Sequence, residues 1–102
     1  MSAALLQVNF KFSVPSSEYG QMANTLADQF AAVPGLRWKV WIMNESESEA
    51  GGIYLFEDEA ALLAYLAGPL AAAVAQHPAL TDVSAKPFAV MDDATAITRG
   101  PV

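Results

Sequence analysis

The 102-residue sequence predicts an α+β fold, a four-stranded antiparallel sheet with two helices on one face. Three observations predict it. Apolar residues alternate with period two over Leu5–Phe12, and three later runs are rich in β-branched and aromatic residues. Two intervening stretches have the spacing or composition of helices. Their order is strand, helix, strand, strand, helix, strand, the split βαβ or ferredoxin-like arrangement.

In the first strand Leu6, Val8, Phe10 and Phe12 share one face, and Gln7, Asn9 and Lys11 the other. Pro15-Ser16-Ser17 supplies a break and a helix cap. Over Ser17–Ala32, Tyr19, Met22, Ala23, Leu26 and Phe30 fall on one helical face, and Pro34-Gly35 ends the helix. Leu36–Met43, with Trp38 and Trp41, and Gly51–Glu57, with Ile53 to Phe56, read as a hairpin joined by the acidic loop Asn44–Ala50. Asp58 caps a second helix over about 59–67. Gly68-Pro69 interrupts it, a short continuation runs to Gln76, and Pro78 bars further helix. Asp82–Val90 is the fourth strand, and Met91–Val102 is a tail with no clear period. The length suits one domain spanning residues 1–102.

Hydrophobic residues make up 54% of the chain, more than a small domain readily hides, so part of that surface is expected in a homodimer interface. The longest apolar stretch, Ala60–Val74, is broken by Tyr65, Gly68 and Pro69 and is too short to span a bilayer. A net charge of −6 disfavours nucleic acid as a partner. With no cysteine and no basic-then-apolar N-terminus, the expected location is the cytoplasm, without disulfides or thiol catalysis.

The second face of the sheet is where a site is expected. Taking the more polar or aromatic set of each strand to face away from the helices gathers Asn9, Lys39, Trp41, Tyr54, Phe56, Lys86 and Phe88 there. A one-residue slip exchanges any set, and the second strand is where the pattern discriminates least. Two such faces paired about a two-fold axis would enclose an apolar cavity with a few polar groups.

The runs Gly35-Leu36-Arg37-Trp38-Lys39-Val40-Trp41, Glu49-Ala50-Gly51-Gly52-Ile53-Tyr54-Leu55-Phe56 and Ala64-Tyr65-Leu66 resemble the YdhR-like family of monooxygenases. Leu5 to Phe10 and Ala85-Lys86-Pro87-Phe88 fit as well, so the resemblance covers about residues 4 to 91. Ile42-Met43-Asn44 and Ala71–Ala75 depart from it. The family belongs to the dimeric α+β barrel superfamily, which includes antibiotic-biosynthesis monooxygenases. The resemblance therefore implies the same fold, a face-to-face dimer and oxygenase chemistry.

No phosphate loop, metal-ligand spacing or nucleophile elbow is present. His77 reads as a helix-terminal histidine rather than a haem ligand, and Asp92-Asp93 as a solvated pair. No cofactor and no metal are expected. Cofactor-free oxygenation needs a substrate that itself gives an electron to oxygen, such as a deprotonated hydroxyarene. The protein must then stack the ring, hold the anion and exclude water. Trp38, Trp41, Tyr54, Phe56 and Phe88 are the candidates for binding a small aromatic molecule, and Lys39, Asn9 and Lys86 for charge and hydrogen bonds. No general base stands out. The alternatives are a non-catalytic small-molecule-binding dimer, an isomerase or decarboxylase on the same fold, and a dimer with a filled interface.

Overall fold

The computed structural model describes residues 3–102. Its elements are β1 (Ala4–Phe12), α1 (Ser16–Ala31), β2 (Leu36–Asn44), β3 (Glu49–Phe56), α2 (Glu59–Leu66), α3 (Pro69–Gln76), β4 (Leu80–Ala89) and α4 (Asp92–Ile97). The four strands form one antiparallel sheet in the order β2-β3-β1-β4. This is the ferredoxin-like fold. Among the described residues no single helix is long and apolar enough to cross a membrane; α2 and α3 meet at a 52° bend.

Register decides what each side chain sees. Leu6, Val8, Phe10 and Phe12 are buried beneath the helices, as the alternation predicts. Leu6 pairs with Tyr54 and Ala4 with Phe56, so Tyr54 and Phe56 lie on that same face. Lys39 pairs with Tyr54 and Trp41 with Gly52, which places Lys39 and Trp41 there too. The expectation that these four face away from the helices is therefore corrected. Ile53 and Leu55 are as apolar as Tyr54 and Phe56, so β3 alone offers no polar set to break the tie. On the opposite face stand Leu5, Gln7, Asn9, Trp38, Val40, Ile42, Ile53, Leu55, Lys86 and Phe88.

Two irregularities shape the sheet. An extra residue interrupts the β2–β3 register between Leu36 and Trp38, at Arg37, and another lies in β4 opposite the Asn9–Lys11 stretch. Asp82 there has φ 55. Such bulges twist a strand and re-aim its side chains. Pro87 is tolerated because β4 is an edge strand.

The core is the space between sheet and helices. Tyr19 and Phe30 of α1 and Leu62 and Tyr65 of α2 are buried against the sheet, with Met22, Ala23, Leu26 and Val74 packed around them. Pro15 occupies the α1 N-cap with no side-chain cap bond, so the expected serine cap is not formed. Asp58 does cap α2, its Oδ1 accepting from the Ala61 N–H at 2.8 Å.

The tail is not shapeless. Residues 92–97 form α4, with Asp92 and Asp93 in its first turn, where negative charge favours a helix N-terminus. Beyond it, the Pro101 carbonyl accepts from the Trp38 indole Nε1–H at 2.8 Å. The tail leaves β4 at one edge of the sheet and reaches β2 at the other, so it crosses the face opposite α1–α3. Leu55 on that face is fully buried, apart from the main core.

Candidate functional site

Lys39 enters the helix–sheet layer from β2. Its side chain has room because Gly52 lies beside it: a Cβ on Gly52 would stand 2.7 Å from Lys39 Cε. The ammonium group ends among rings. Nζ lies 3.3 Å from the Trp41 ring centroid, 3.4 Å from that of Phe30 and 4.6 Å from that of Tyr54. Phe30 and Trp41 meet edge to face at 5.2 Å, and Phe30 touches the Tyr54 and Tyr65 rings at 6.1 and 6.3 Å. Behind them the Tyr65 hydroxyl donates to the Tyr54 hydroxyl at 3.4 Å.

The electrostatics follow from burial. Taking Lys39 out of water pushes it down from 10.5 to about 7, and no carboxylate among the described residues offsets the loss. The ring faces attract the charged form and act against that fall. Tyr54, Tyr65 and Tyr19 are all held above the ordinary phenol value by burial. The three phenols therefore stay neutral, and near neutral pH Lys39 is the group that exchanges a proton.

Space adjoins the amine on two sides. Inward, a cavity of about 30 Å³ touches Tyr19, Phe30, Lys39, Trp41 and Tyr54, room for a water-sized molecule. Outward, a groove of about 240 Å³ runs between α1 and the β2 edge, lined by Ala27, Ala31, Leu36, Arg37, Trp38 and Lys39. Ala27 and Ala31 lie one helical turn apart, and their small side chains leave it open. A larger cleft of about 510 Å³ lies between the end of α1 and the α2–α3 bend, with Tyr65 in its wall.

Of the residues singled out in the sequence, Lys39 and Trp41 line one groove and Tyr54 backs it; Trp38 borders that groove, but its indole is turned to the opposite face, where it donates to the Pro101 carbonyl. Phe56 is fully buried and stacks on Tyr54 at 6.2 Å. Asn9, Lys86 and Phe88 lie across the sheet from Lys39, where Asn9 Oδ1 accepts from Gln7 Nε2 at 3.1 Å. One site does not contain both groups. His77 holds the turn after α3, its Nδ1 accepting from the Ala79 N–H at 3.1 Å. Sequence reasoning missed Phe30 and Tyr65 as parts of the site. The available signal was a Gly-Gly pair in the strand facing a Trp-Lys-Val-Trp run: small residues there make space for a long one opposite.

The structure is a ferredoxin-like α+β sheet with a lysine enclosed by aromatic rings beneath its helices. The chain belongs to the family described as "Putative mono-oxygenase ydhR", whose model matches residues 5–101. No curated protein matches the sequence significantly. Among solved structures, the NE2512 protein of unknown function from Nitrosomonas europaea is similar with a TM-score of 0.74 at 20% identity, over 89% of this chain and 91% of that one. SnoaB, a cofactor-independent oxygenase from Streptomyces nogalater, gives 0.71 at 19% identity, over 89% and 95%. MhuD, a heme-degrader from Mycobacterium tuberculosis with two hemes bound in its active site, gives 0.67 at 22% identity, over 87% and 97%. At these identities the likeness is one of fold.

Proposed function

We propose that this chain is a cofactor-independent monooxygenase acting on a small hydroxyarene-like molecule held between α1 and the β2 edge. The observation that carries the reading is the Lys39 amine, enclosed by Phe30, Trp41 and Tyr54 with no carboxylate partner among the described residues. It supplies the base that the sequence did not reveal. The family assignment and the cofactor-independent oxygenase among the structural relatives support the same reaction class.

In this mechanism the substrate stacks in the groove beside Trp41. The neutral amine of Lys39 takes its acidic proton, and the resulting ammonium holds the anion in a desolvated site. The anion gives one electron to dioxygen, and the two radicals couple to form a carbon–oxygen bond as a peroxide. Where the oxygenated carbon still carries hydrogen, loss of water leaves a carbonyl. One oxygen atom enters the product and the other leaves in water, so the substrate supplies both electrons.

The test is oxygen uptake with a panel of hydroxyarenes. The wild type should exceed autoxidation, with a rate that rises with pH through about 7 as the amine loses its proton. Lys39→Met should abolish the excess, while Lys86→Met, across the sheet, should not. Equal rates for wild type and Lys39→Met would overturn the assignment. Tight binding without oxygen uptake would favour the non-catalytic binder.

The homodimer belongs to the same proposal. Val40 and Phe88 are 52% and 47% exposed on the face opposite the helices, and a second copy packed there would cover them. That interface would hold Asn9, Lys86 and Phe88 but not the Lys39 site.

A further inference from the structure

We infer that Lys39 is also a covalent site, an amine that forms an imine with aromatic aldehydes entering the groove between α1 and β2. The inference uses the same site as the proposed oxygenase but a different reaction, and it needs no oxygen. Three features of the geometry carry it. The amine has no anionic partner among the described residues, so no ion pair there must break before it reacts. Its stem is fixed by the space at Gly52, and its head by the rings of Phe30, Trp41 and Tyr54. It also lines a groove of about 240 Å³ whose other walls, Ala27, Phe30, Ala31, Leu36 and Trp41, suit a flat apolar ligand.

The titratable groups around Lys39 agree. From α1, β3 and α2 these are Tyr19, Tyr54 and Tyr65, all kept neutral by burial. From β2, Arg37 stands in the groove wall, and its charge disfavours a second positive charge nearby. A desolvated lysine beside a cationic group is the usual setting of an imine-forming amine.

The nitrogen lone pair of Lys39 adds to the carbonyl carbon, the carbonyl oxygen takes a proton, and the carbinolamine loses water to leave a carbon–nitrogen double bond. Cyanoborohydride delivers hydride to that carbon, and water supplies the proton on nitrogen, which fixes the adduct as a secondary amine.

The experiment is anaerobic incubation of the wild-type chain with benzaldehyde and cyanoborohydride at about pH 7, followed by peptide mapping. The chain has three lysines, Lys11, Lys39 and Lys86, which makes the map unambiguous. Lys11 reaches the Glu47 carbonyl at the surface, and Lys86 is exposed. Lys39, pushed down to about 7 by burial, carries the free amine that the addition needs at this pH. The expected result is one benzyl group on Lys39, at least about a hundredfold faster than on Lys11 or Lys86. Urea-unfolded protein should lose that preference. Labelling of Lys39 no faster than of the other two lysines would overturn the inference. That outcome would leave open whether the folded protein consumes oxygen, which the uptake assay decides separately.

Discussion

Lys39 ties stability to pH in a direction that can be worked out. In the unfolded chain it keeps its proton to about 10.5, and in the folded chain only to about 7. Between those values the unfolded state binds more protons, so stability rises with pH. Below about 7 both states are protonated and the fold bears the full cost of burying the charge. Lys39→Met should therefore be more stable than wild type at about pH 6, by a margin that shrinks toward about pH 9. Urea midpoints of the two proteins at each pH would show it, and a margin independent of pH would refute it. The raised phenols of Tyr19, Tyr54 and Tyr65 oppose this trend near pH 10 and above, and comparing variants at one pH cancels them. Gly52 offers a second test. An alanine Cβ there would crowd Lys39 Cε at 2.7 Å and Tyr54 Cε1 at 3.1 Å. The lysine stem is the flexible party, so Gly52→Ala should fold but eject the amine from its ring cage. Its titration by NMR should then move up toward the ordinary lysine value.

At the scale of elements, the α2 cap and the sheet register separate what the sequence reveals from what it hides. Asp58 is recognisable as a cap because an acid follows a strand and precedes a helix-forming run, and its bond to Ala61 N–H is present. Asp58→Ala should lower stability by about 1 kcal/mol, measured by denaturant titration; no change would mean solvent replaces the bond. The order of elements and the buried set of β1 are legible because alternation on a half-buried strand has one solution. The faces of β2 and β3 are not, because both sets on each strand contain large apolar residues. Their placement rests on cross-strand partners, Leu6 with Tyr54 and Tyr54 with Lys39, which no local pattern encodes. For that reason the candidate lysine and aromatics were legible as residue types, but their location beneath the helices was not. The close approach of β3 to β1 at Gly51 is equally nonlocal: a Cβ there would fall 1.8 Å from the Val8 carbonyl oxygen. Unlike Gly52→Ala, Gly51→Ala meets backbone and should disrupt strand pairing.

At the scale of the molecule, the proposed dimer predicts a species of twice the 10.8 kDa chain mass in sedimentation equilibrium. Val40→Lys, which puts a charge on the exposed face, should return it to monomer without unfolding. A monomeric wild type would refute the pairing. The tail has a consequence of another kind, in the timing of folding. The Trp38 indole and the Pro101 carbonyl are 63 residues apart in sequence, and the tail can reach Trp38 only across a sheet whose inner strands are already in place. Contacts that close such long loops wait for the structure that holds their ends together. Trp38 should therefore report the last event of folding, after Trp41 has entered the core. A Trp41→Phe variant would leave Trp38 as the one indole and make that final step visible as a separate fluorescence phase.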